Sequence, residues 1–274
     1  MDNKAFLPVK SDIVFRIFFG DEKNIEFLIS FLKSVLRLPD DDYNEIEIVD
    51  PHLLREFPGD KLGIIDIKLK TRSRKIVHIE IQLSVTPELK NRIIFYDAKL
   101  ITEQIGSGDD FNSIKKVISI VITDEKLIPT SPKYLHRFTF YDSEAKVELS
   151  DIIEIFTLEL EKLPASTDGT ALYDWAKFIA AESEEELLMI AERNPQVGEA
   201  IVKFRELSAD ERTRDLYDRR QRAEWDLAAR ERWARQQGLM DVARNLLGMN
   251  MSLDQIATAT GLTHEEVEGL RGNN

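Results

Sequence analysis

The most regular pattern in the chain is a pair of alternating segments between residues 62 and 85. Residues 65–70 alternate aliphatic with charged side chains, and residues 76–83 alternate aliphatic with polar ones. A period of two, rich in Ile and Val, is typical of half-buried β-strands. The polar connector at residues 71–75 suits a turn. The sequence therefore predicts a β-hairpin.

The same alternation predicts the register of the hairpin. Directly opposed residues of an antiparallel pair point to one face of the sheet. With Ser73 at the centre of the turn, Asp66 lies opposite Glu80. The aliphatic residues then also pair: Ile65 with Ile81, Ile67 with Ile79, and Leu69 with Val77. The other face carries the polar side chains: Asp66, Lys68, Lys70, His78, Glu80 and Gln82. A shift of one residue would bury carboxylates, so the pattern selects against it.

Helices and further strands are predicted on both sides of the hairpin. Amphipathic helices are expected over residues 12–36, with Ser11 or Asp12 at the start and a break at Gly20. A helix should also follow Pro87. The other expected elements are strands at 43–50, 117–122, 135–141, 146–149 and 152–160, a loop at 52–61, and the helix over 88–105.

The chain turns helical after a linker at residues 162–170, which is rich in Pro, Ser, Thr and Gly. Helices are predicted over 172–181, 184–192 (capped by Ser183), 196–207 and the highly charged stretch 210–237. Three short helical pieces follow in 238–274, where LDQIATATGLTHEEVEGL has a helix–turn–helix cadence. Its second helix is acidic, which favours packing or self-association over base reading. The sequence thus predicts domains at 1–163, 171–237 and 238–274.

Composition narrows the class of protein. The 274 residues are 43% hydrophobic and 32% charged, with no cysteine. Disulfides and thiolate metal sites are therefore excluded. We expect a cytoplasmic protein, because no apolar run reaches membrane-spanning length and the start lacks the layout of a signal peptide.

The charge balance opposes binding of a polyanion at long range. The chain has 37 basic and 50 acidic residues, a net charge of −13. Nucleic acid would then need a local basic cluster, and the hairpin offers one: Lys68, Lys70, Arg72, Arg74 and Lys75. Contact with phosphate and a solvated hairpin tip are both compatible with this cluster.

Asp66 and Glu80 form a D-x13-E-x-Q pattern that ends at Gln82. This pattern resembles the metal-binding core of PD-(D/E)XK nucleases. Further segments resemble the Rpn family of recombination-promoting nucleases, also described as PD-(D/E)XK transposases: SDIVFRIFFGDEKNIEFLISFLKSVL, RIIFYDAKLITEQIGSGDDF, VISIVI, HRFTFYD, IFTLELEKLP and ARNLLGMNMSLDQIATATGLTHEEVEGL. The resemblance implies an α/β (α+β) fold like that of restriction endonucleases: a mixed sheet flanked by helices, followed by an all-helical C-terminal region ending in a helix–turn–helix-like segment.

The resemblance also implies a chemistry. Asp66, Glu80 and the carbonyl of Ile81 would bind Mg²⁺ (or Mn²⁺), which prefers oxygen ligands. Gln82 replaces the usual lysine of the superfamily and would orient water or bind a phosphate oxygen. Ile65 stands where the superfamily name expects proline. The resemblance marks Asp12, Arg92 and Tyr96 as accessory residues, and Gln104 as a candidate contact to the nucleic-acid backbone.

Alternatives to these roles remain open. Asp12 also fits a simple helix cap. Arg92 and Tyr96 also fit a helix surface with ion pairs. His78 is expected at the sheet surface, and the four histidines are too dispersed for zinc. A nucleophile elbow and a Gly-rich phosphate loop are both missing from the sequence.

Two functions are therefore compatible with the sequence. One is a metal-dependent DNA endonuclease that forms a homo-oligomer through its C-terminal helical region. The other is an inactive protein of nuclease shape that binds DNA or protein, in which Asp66 and Glu80 form salt bridges with Lys68 or Arg92.

Overall fold

The computed structural model describes residues 6–53 and 65–272. Most of the predicted loop at 52–61 lies outside the described residues. In chain order the helices and strands are α1 (Asp12–Phe19), α2 (Ile25–Val35), β1 (Glu47–Val49), β2 (Ile67–Lys70), β3 (Ile76–Gln82), α3 (Leu89–Thr102), β4 (Val117–Thr123), β5 (Leu135–Asp142), β6 (Val147–Glu159), α4 (Ala171–Ala180), α5 (Glu184–Ala191), α6 (Pro195–Ala209), α7 (Glu211–Gly248), α8 (Leu253–Thr260) and α9 (His264–Gly269).

The strands form one mixed sheet in the order β1-β2-β3-β4-β6-β5. The neighbours β3, β4 and β6 are parallel, whereas β1–β2, β2–β3 and β5–β6 are antiparallel. Ile67 pairs with Ile79 and Leu69 with Val77, so the predicted hairpin register is confirmed. The mixed sheet with flanking helices confirms the predicted fold class.

Helices cover the centre of the sheet. Every residue of β4 is buried, as expected for a strand packed on both faces. Helix α3 packs on β4, and α1 packs on β3. Covered in this way, β3 is also buried along Ile76–Ile81. The expectation of a surface histidine at His78 is therefore wrong: the side chain is fully buried.

Three predicted boundaries differ from the structure. The strand predicted at 43–50 is reduced to Glu47–Val49, because residues 40–43 form a short 3-10 helix. The segments predicted as strands at 146–149 and 152–160 form one strand, β6, of 13 residues. Strand β5 pairs along most of it with irregular register near Phe140, which accommodates the polar residues between the predicted strands. Helix α7 continues through Gly238 to Gly248, instead of ending at residue 237. A glycine inside a helix costs only about 1 kcal/mol, which its neighbours can offset.

The helices beyond the predicted linker pack on those at the start of the chain. Helices α4 and α6 contact α2, and aromatic rings fill the space between them. The indole N–H of Trp175 donates to the hydroxyl of Ser30 at 3.1 Å. We call this set the aromatic cluster: Phe18, Phe19, Phe31, Trp175, Phe178 and Phe204. It ties residues on both sides of the linker into one compact unit.

The chain divides into compact units at residues 1–214 and 215–274. In the second unit, α8 and α9 pack on the end of α7 around Ala243, Ile256 and Val267. Each short helix starts with a capping box, at Ser252 and Thr263, and the left-handed Gly261 ends α8. The predicted helix–turn–helix-like end of a helical region is confirmed. Among the described residues, no helix is long and apolar enough to cross a membrane.

Candidate active site

The two carboxylates of the hairpin lie side by side. Asp66 comes directly before β2, and its Oδ2 accepts the backbone N–H of Ile81 at 2.8 Å. Because Ile67 pairs with Ile79, Asp66 stands next to Glu80 on the same face of the sheet. The charge of Asp66 raises the pKa of the Glu80 carboxyl.

Glu80 is a buried carboxyl group with few partners. Only 5% of the residue is exposed, and its Oε1 has no hydrogen-bond partner in the described part of the chain. Its Oε2 accepts a long bond of 3.5 Å from the Gln82 amide. Burial, together with the nearby Asp66 charge, raises the pKa of Glu80 to about 8, although the Arg92 charge acts in the opposite direction.

The backbone of Ile81 faces the same place. In an extended strand, the N–H and C=O of one residue point to the same side. The N–H of Ile81 points to Asp66, whereas the carbonyl of Gln82 accepts the N–H of Asp124 beyond β4. The carbonyl of Ile81 therefore points to the side of β3 on which Asp66 lies.

Helix α3 brings Arg92 and Tyr96 to this pair. They are four residues apart, on one face of the helix. Burial raises the pKa of the Tyr96 hydroxyl, and the charge of Glu80 raises it further, against the effect of Arg92. The structure thus gathers Asp66, Glu80, Arg92 and Tyr96 in one place.

Asp12 begins α1, the helix that packs on β3. Its Oδ1 accepts the N–H of Ile13 at 2.7 Å, whereas the Ser11 side chain makes no cap hydrogen bond. A carboxylate in the first turn suits the positive end of the helix dipole. The accessory role of Asp12 stays a prediction.

The structure separates the predicted basic cluster into two groups. Arg72 lies 3.8 Å from Asp41 and 3.7 Å from Glu45, and Lys75 lies 2.6 Å from Asp42, so these two face the acidic turn before β1. The other group lines a groove beside the end of α3: Lys68, Lys70 and Arg74. Gln104 also lines this groove, and both ends of its amide are bonded to backbone groups.

A buried polar trio behind the carboxylates was missed by the sequence reasoning. His78 Nε2 lies 2.8 Å from Asp97 and 2.6 Å from the hydroxyl of Ser119, and all three residues are fully buried. Ser119 and Asp97 are also hydrogen-bonded. The trio links β3, β4 and α3, and so fixes the helix that carries Arg92 and Tyr96. Its signals were a serine inside the aliphatic run VISIVI and an aspartate directly after Tyr96.

The donor set fits a hard divalent cation. Two carboxylates and a backbone carbonyl are oxygen ligands of the kind that Mg²⁺ takes together with water. The buried Oε1 of Glu80 is unpartnered within the described residues, and a cation would compensate the cost of burying it. No group of three or more His, Asp or Glu side chains in the described ranges is arranged to bind a metal. Water and a substrate oxygen would have to complete the shell.

A mixed sheet flanked by helices, with an Asp and a Glu of adjacent strands on one face, defines a nuclease-like α/β protein of the PD-(D/E)XK class. The model of one family, described as "PD-(D/E)XK nuclease family transposase", matches residues 9–232. The chain belongs to this family. No curated protein and no solved structure matches the chain.

Proposed function

We propose that the protein is a metal-dependent DNA endonuclease of the recombination-promoting type, using Mg²⁺ or Mn²⁺. The observation that carries this proposal is the buried Glu80 carboxyl beside Asp66, with an oxygen left unpartnered in the described part of the chain. Family membership supports a nuclease. A fold alone does not establish an activity, so the proposal depends on this site.

In the proposed reaction, Asp66, Glu80 and the Ile81 carbonyl would hold the ion. When bound, the ion supplies positive charge to the phosphate and lowers the pKa of water at the site. Gln82 orients the attacking water through its amide, because a glutamine has no charge and cannot act as a base. Arg92 attracts the phosphate, and its charge already reaches Glu80. Water is added across one P–O bond of the backbone.

The inactive alternative required Asp66 and Glu80 to be neutralised by Lys68 or Arg92. Lys68 forms an ion pair with Glu103 at 3.3 Å, and Glu103 lies at the end of α3 opposite to Arg92. Within the described residues, Glu80 forms no ion pair of 4 Å or less. The arrangement therefore favours the enzyme over the binding protein.

Plasmid nicking tests the proposal. We expect supercoiled DNA to be cut with Mg²⁺ or Mn²⁺ and not with EDTA, and Asp66→Ala or Glu80→Ala to lower the rate by about 100-fold or more, because each removes an ion ligand. Glu144→Ala, which removes an exposed carboxylate, is the matched control. Cutting that survives both site variants would refute the proposal. A Mg²⁺-dependent rise in Tm that is lost in Glu80→Ala is a second readout.

We further propose a cytoplasmic location. We also propose three parts at 1–163, 171–237 and 238–274, of which the first two contact each other through the aromatic cluster. The C-terminal helical region would form a homo-oligomer, because Trp225, Leu227 and Trp233 are exposed on α7.

A further inference from the structure

The face of the sheet that carries Asp66 and Glu80 also carries a groove of about 540 Å³. The groove lies between β1–β2 and the end of α3, and its lining includes four cationic side chains: Lys68, Lys70, Arg74 and Lys115. Of these, Lys115 did not belong to the cluster predicted from the hairpin.

The strand register places the groove and the carboxylates on one face. Lys68 pairs with His78 and Lys70 with Ile76, and paired residues share a face. Since alternate residues of a strand return to the same face, Ile76, His78 and Glu80 all point the same way. The groove and the carboxylate pair therefore lie at the two ends of the stretch that α3 covers, where His78 is fully buried against Asp97. A strand that contacts both must pass around the outside of this helix.

The groove is positive although the protein as a whole is negative. Its four cations face two carboxylates, Asp50 and Glu103. Lys68 is partly neutralised by Glu103 at 3.3 Å, and Arg74 by Glu47 at 3.5 Å. Lys70 and Lys115 form no ion pair in the described part of the chain. Two ammonium groups are thus left to attract an anion.

Gln104 fixes one wall of this groove. Its Oε1 accepts the backbone N–H of Lys115 at 2.7 Å, and its Nε2 donates to the Lys115 carbonyl at 3.0 Å. The same Nε2 donates to Leu100 in α3 at 2.9 Å. Because both ends of the amide are occupied, Gln104 positions Lys115 and does not itself need to contact the ligand.

The spacing suits a nucleic-acid strand. Four residues separate Glu80 from Ile76 along β3, which is about 13 Å at the rise of a β-strand. Phosphates of one DNA strand follow each other at about 3.4 Å along the duplex axis. The groove therefore lies roughly four nucleotides of duplex from the carboxylates.

We infer that this groove is a second phosphate subsite, which holds the DNA backbone a few nucleotides from the bond that is cut. Lys70 and Lys115 are its main phosphate contacts, and Gln104 is a positioning residue. The inference rests on the proposed function, because the carboxylate pair defines where the cut would fall. Arg72 and Lys75, which face the acidic turn, are not part of this subsite.

Binding of a labelled duplex oligonucleotide to the full chain in EDTA tests the inference without depending on cleavage. We expect Lys70→Glu/Lys115→Glu to weaken binding by about tenfold or more, and to flatten the dependence of log K on log salt by about two. The matched control is Lys133→Glu/Lys146→Glu, which reverses the charge of two exposed lysines away from the groove. This control should change the affinity less than threefold. Circular dichroism checks that both variants are folded.

If the groove and control variants lost DNA affinity equally, only the net charge of the protein would matter for binding, and the inference would be overturned. Unchanged binding by the groove variant would also overturn it.

Hydrolysis of bis(4-nitrophenyl) phosphate with Mn²⁺ distinguishes the proposed phosphate subsite from the proposed nuclease function. This small diester needs only the carboxylates, so the groove variant should hydrolyse it at the wild-type rate. If no form of the protein hydrolyses it or nicks plasmid DNA, the proposed function fails, while the binding result still decides whether the groove holds DNA.

Discussion

Two buried glutamates in the same sheet have opposite environments. Glu159, at the end of β6, is fully buried. Its Oε2 lies 2.6 Å from the Lys162 ammonium group and accepts the N–H of Ile128 at 3.0 Å. His136 Nδ1 lies 3.1 Å from the Oε1, although the two groups do not align for a hydrogen bond. Glu80 is almost as buried, yet its nearest charged neighbour along the hairpin is another acid.

The comparison distinguishes a buried carboxylate that stabilises the fold, Glu159, from one whose environment indicates a functional role, Glu80. Burying a carboxylate is costly unless a cation and hydrogen bonds compensate it. At Glu159 the chain supplies both, and the group holds the loops after β4 and β6 together. At Glu80 the chain supplies neither in full, and its pKa is raised to about 8. Such a perturbed carboxyl group is a mark of functional sites.

The largest expected effect on stability is at Glu159. Glu159→Gln should lower the free energy of unfolding by about 3 kcal/mol, because it leaves the buried Lys162 without its counter-charge. Glu80→Gln should be neutral or stabilising at pH 8, since it removes a buried charge. Urea unfolding followed by circular dichroism measures both, with Glu161→Gln as an exposed control. A loss at Glu80 as large as that at Glu159 would erase the contrast between the two sites.

The pH dependence sharpens the comparison. The pKa of Glu80 rises from 4.5 to about 8 on folding, so between these values the folded protein retains a proton that the unfolded chain has lost. This contribution to stability is complete below pH 4.5 and is lost as the pH rises to about 8. The Tm of the wild type relative to Glu80→Gln should therefore fall from about pH 5 to about pH 8.

Magnesium should reverse this trend by favouring the ionised carboxylate. Below pH 8 we expect its binding to release up to about one proton per ion, which calorimetry in buffers of different ionisation enthalpy detects. A flat Tm difference together with no proton release would show that Glu80 is ionised in the absence of the ion.

The smallest expected change in stability comes from substituting Gln82, whose amide nitrogen lies 3.5 Å from the Glu80 carboxylate. Gln82→Lys would give Glu80 an adjacent cation, as Lys162 does for Glu159. We expect the pKa of Glu80 to fall and the protein to gain about 1 kcal/mol at pH 8. Gln82→Met, of similar length and without charge, is the control. If both variants show the same dependence of Tm on pH, an added cation does not compensate Glu80.

Local alternation was sufficient to predict the hairpin and its carboxylates. The register follows from Ile67, Leu69, Val77 and Ile79, because only one pairing keeps every aliphatic residue on the same face. The family resemblance then pointed to Arg92 and Tyr96 on α3, and the structure brings them to the same place. These parts of the site depend on neighbours that are close in sequence, or on a recognised pattern.

The partners of the polar face could not be predicted in the same way. Alternation shows that His78 shares a face with Glu80, but it does not show that α3 covers that face and supplies Asp97. The acidic residues that pair with Arg72 and Lys75 come from a turn before β1. Glycine at position 238 suggested an end of the long helix, and neighbouring residues override that weak local preference. Each of these outcomes depends on tertiary contacts.

The aromatic cluster has a practical consequence for anyone who wishes to shorten the chain. Trimming at the apparent linker near residue 163 would uncover the rings of Phe18, Phe19 and Phe31, since Trp175, Phe178 and Phe204 lie beyond the cut. Such a fragment would expose a large apolar surface and would tend to aggregate. A fragment that retains α6, which ends at Ala209, keeps these rings enclosed.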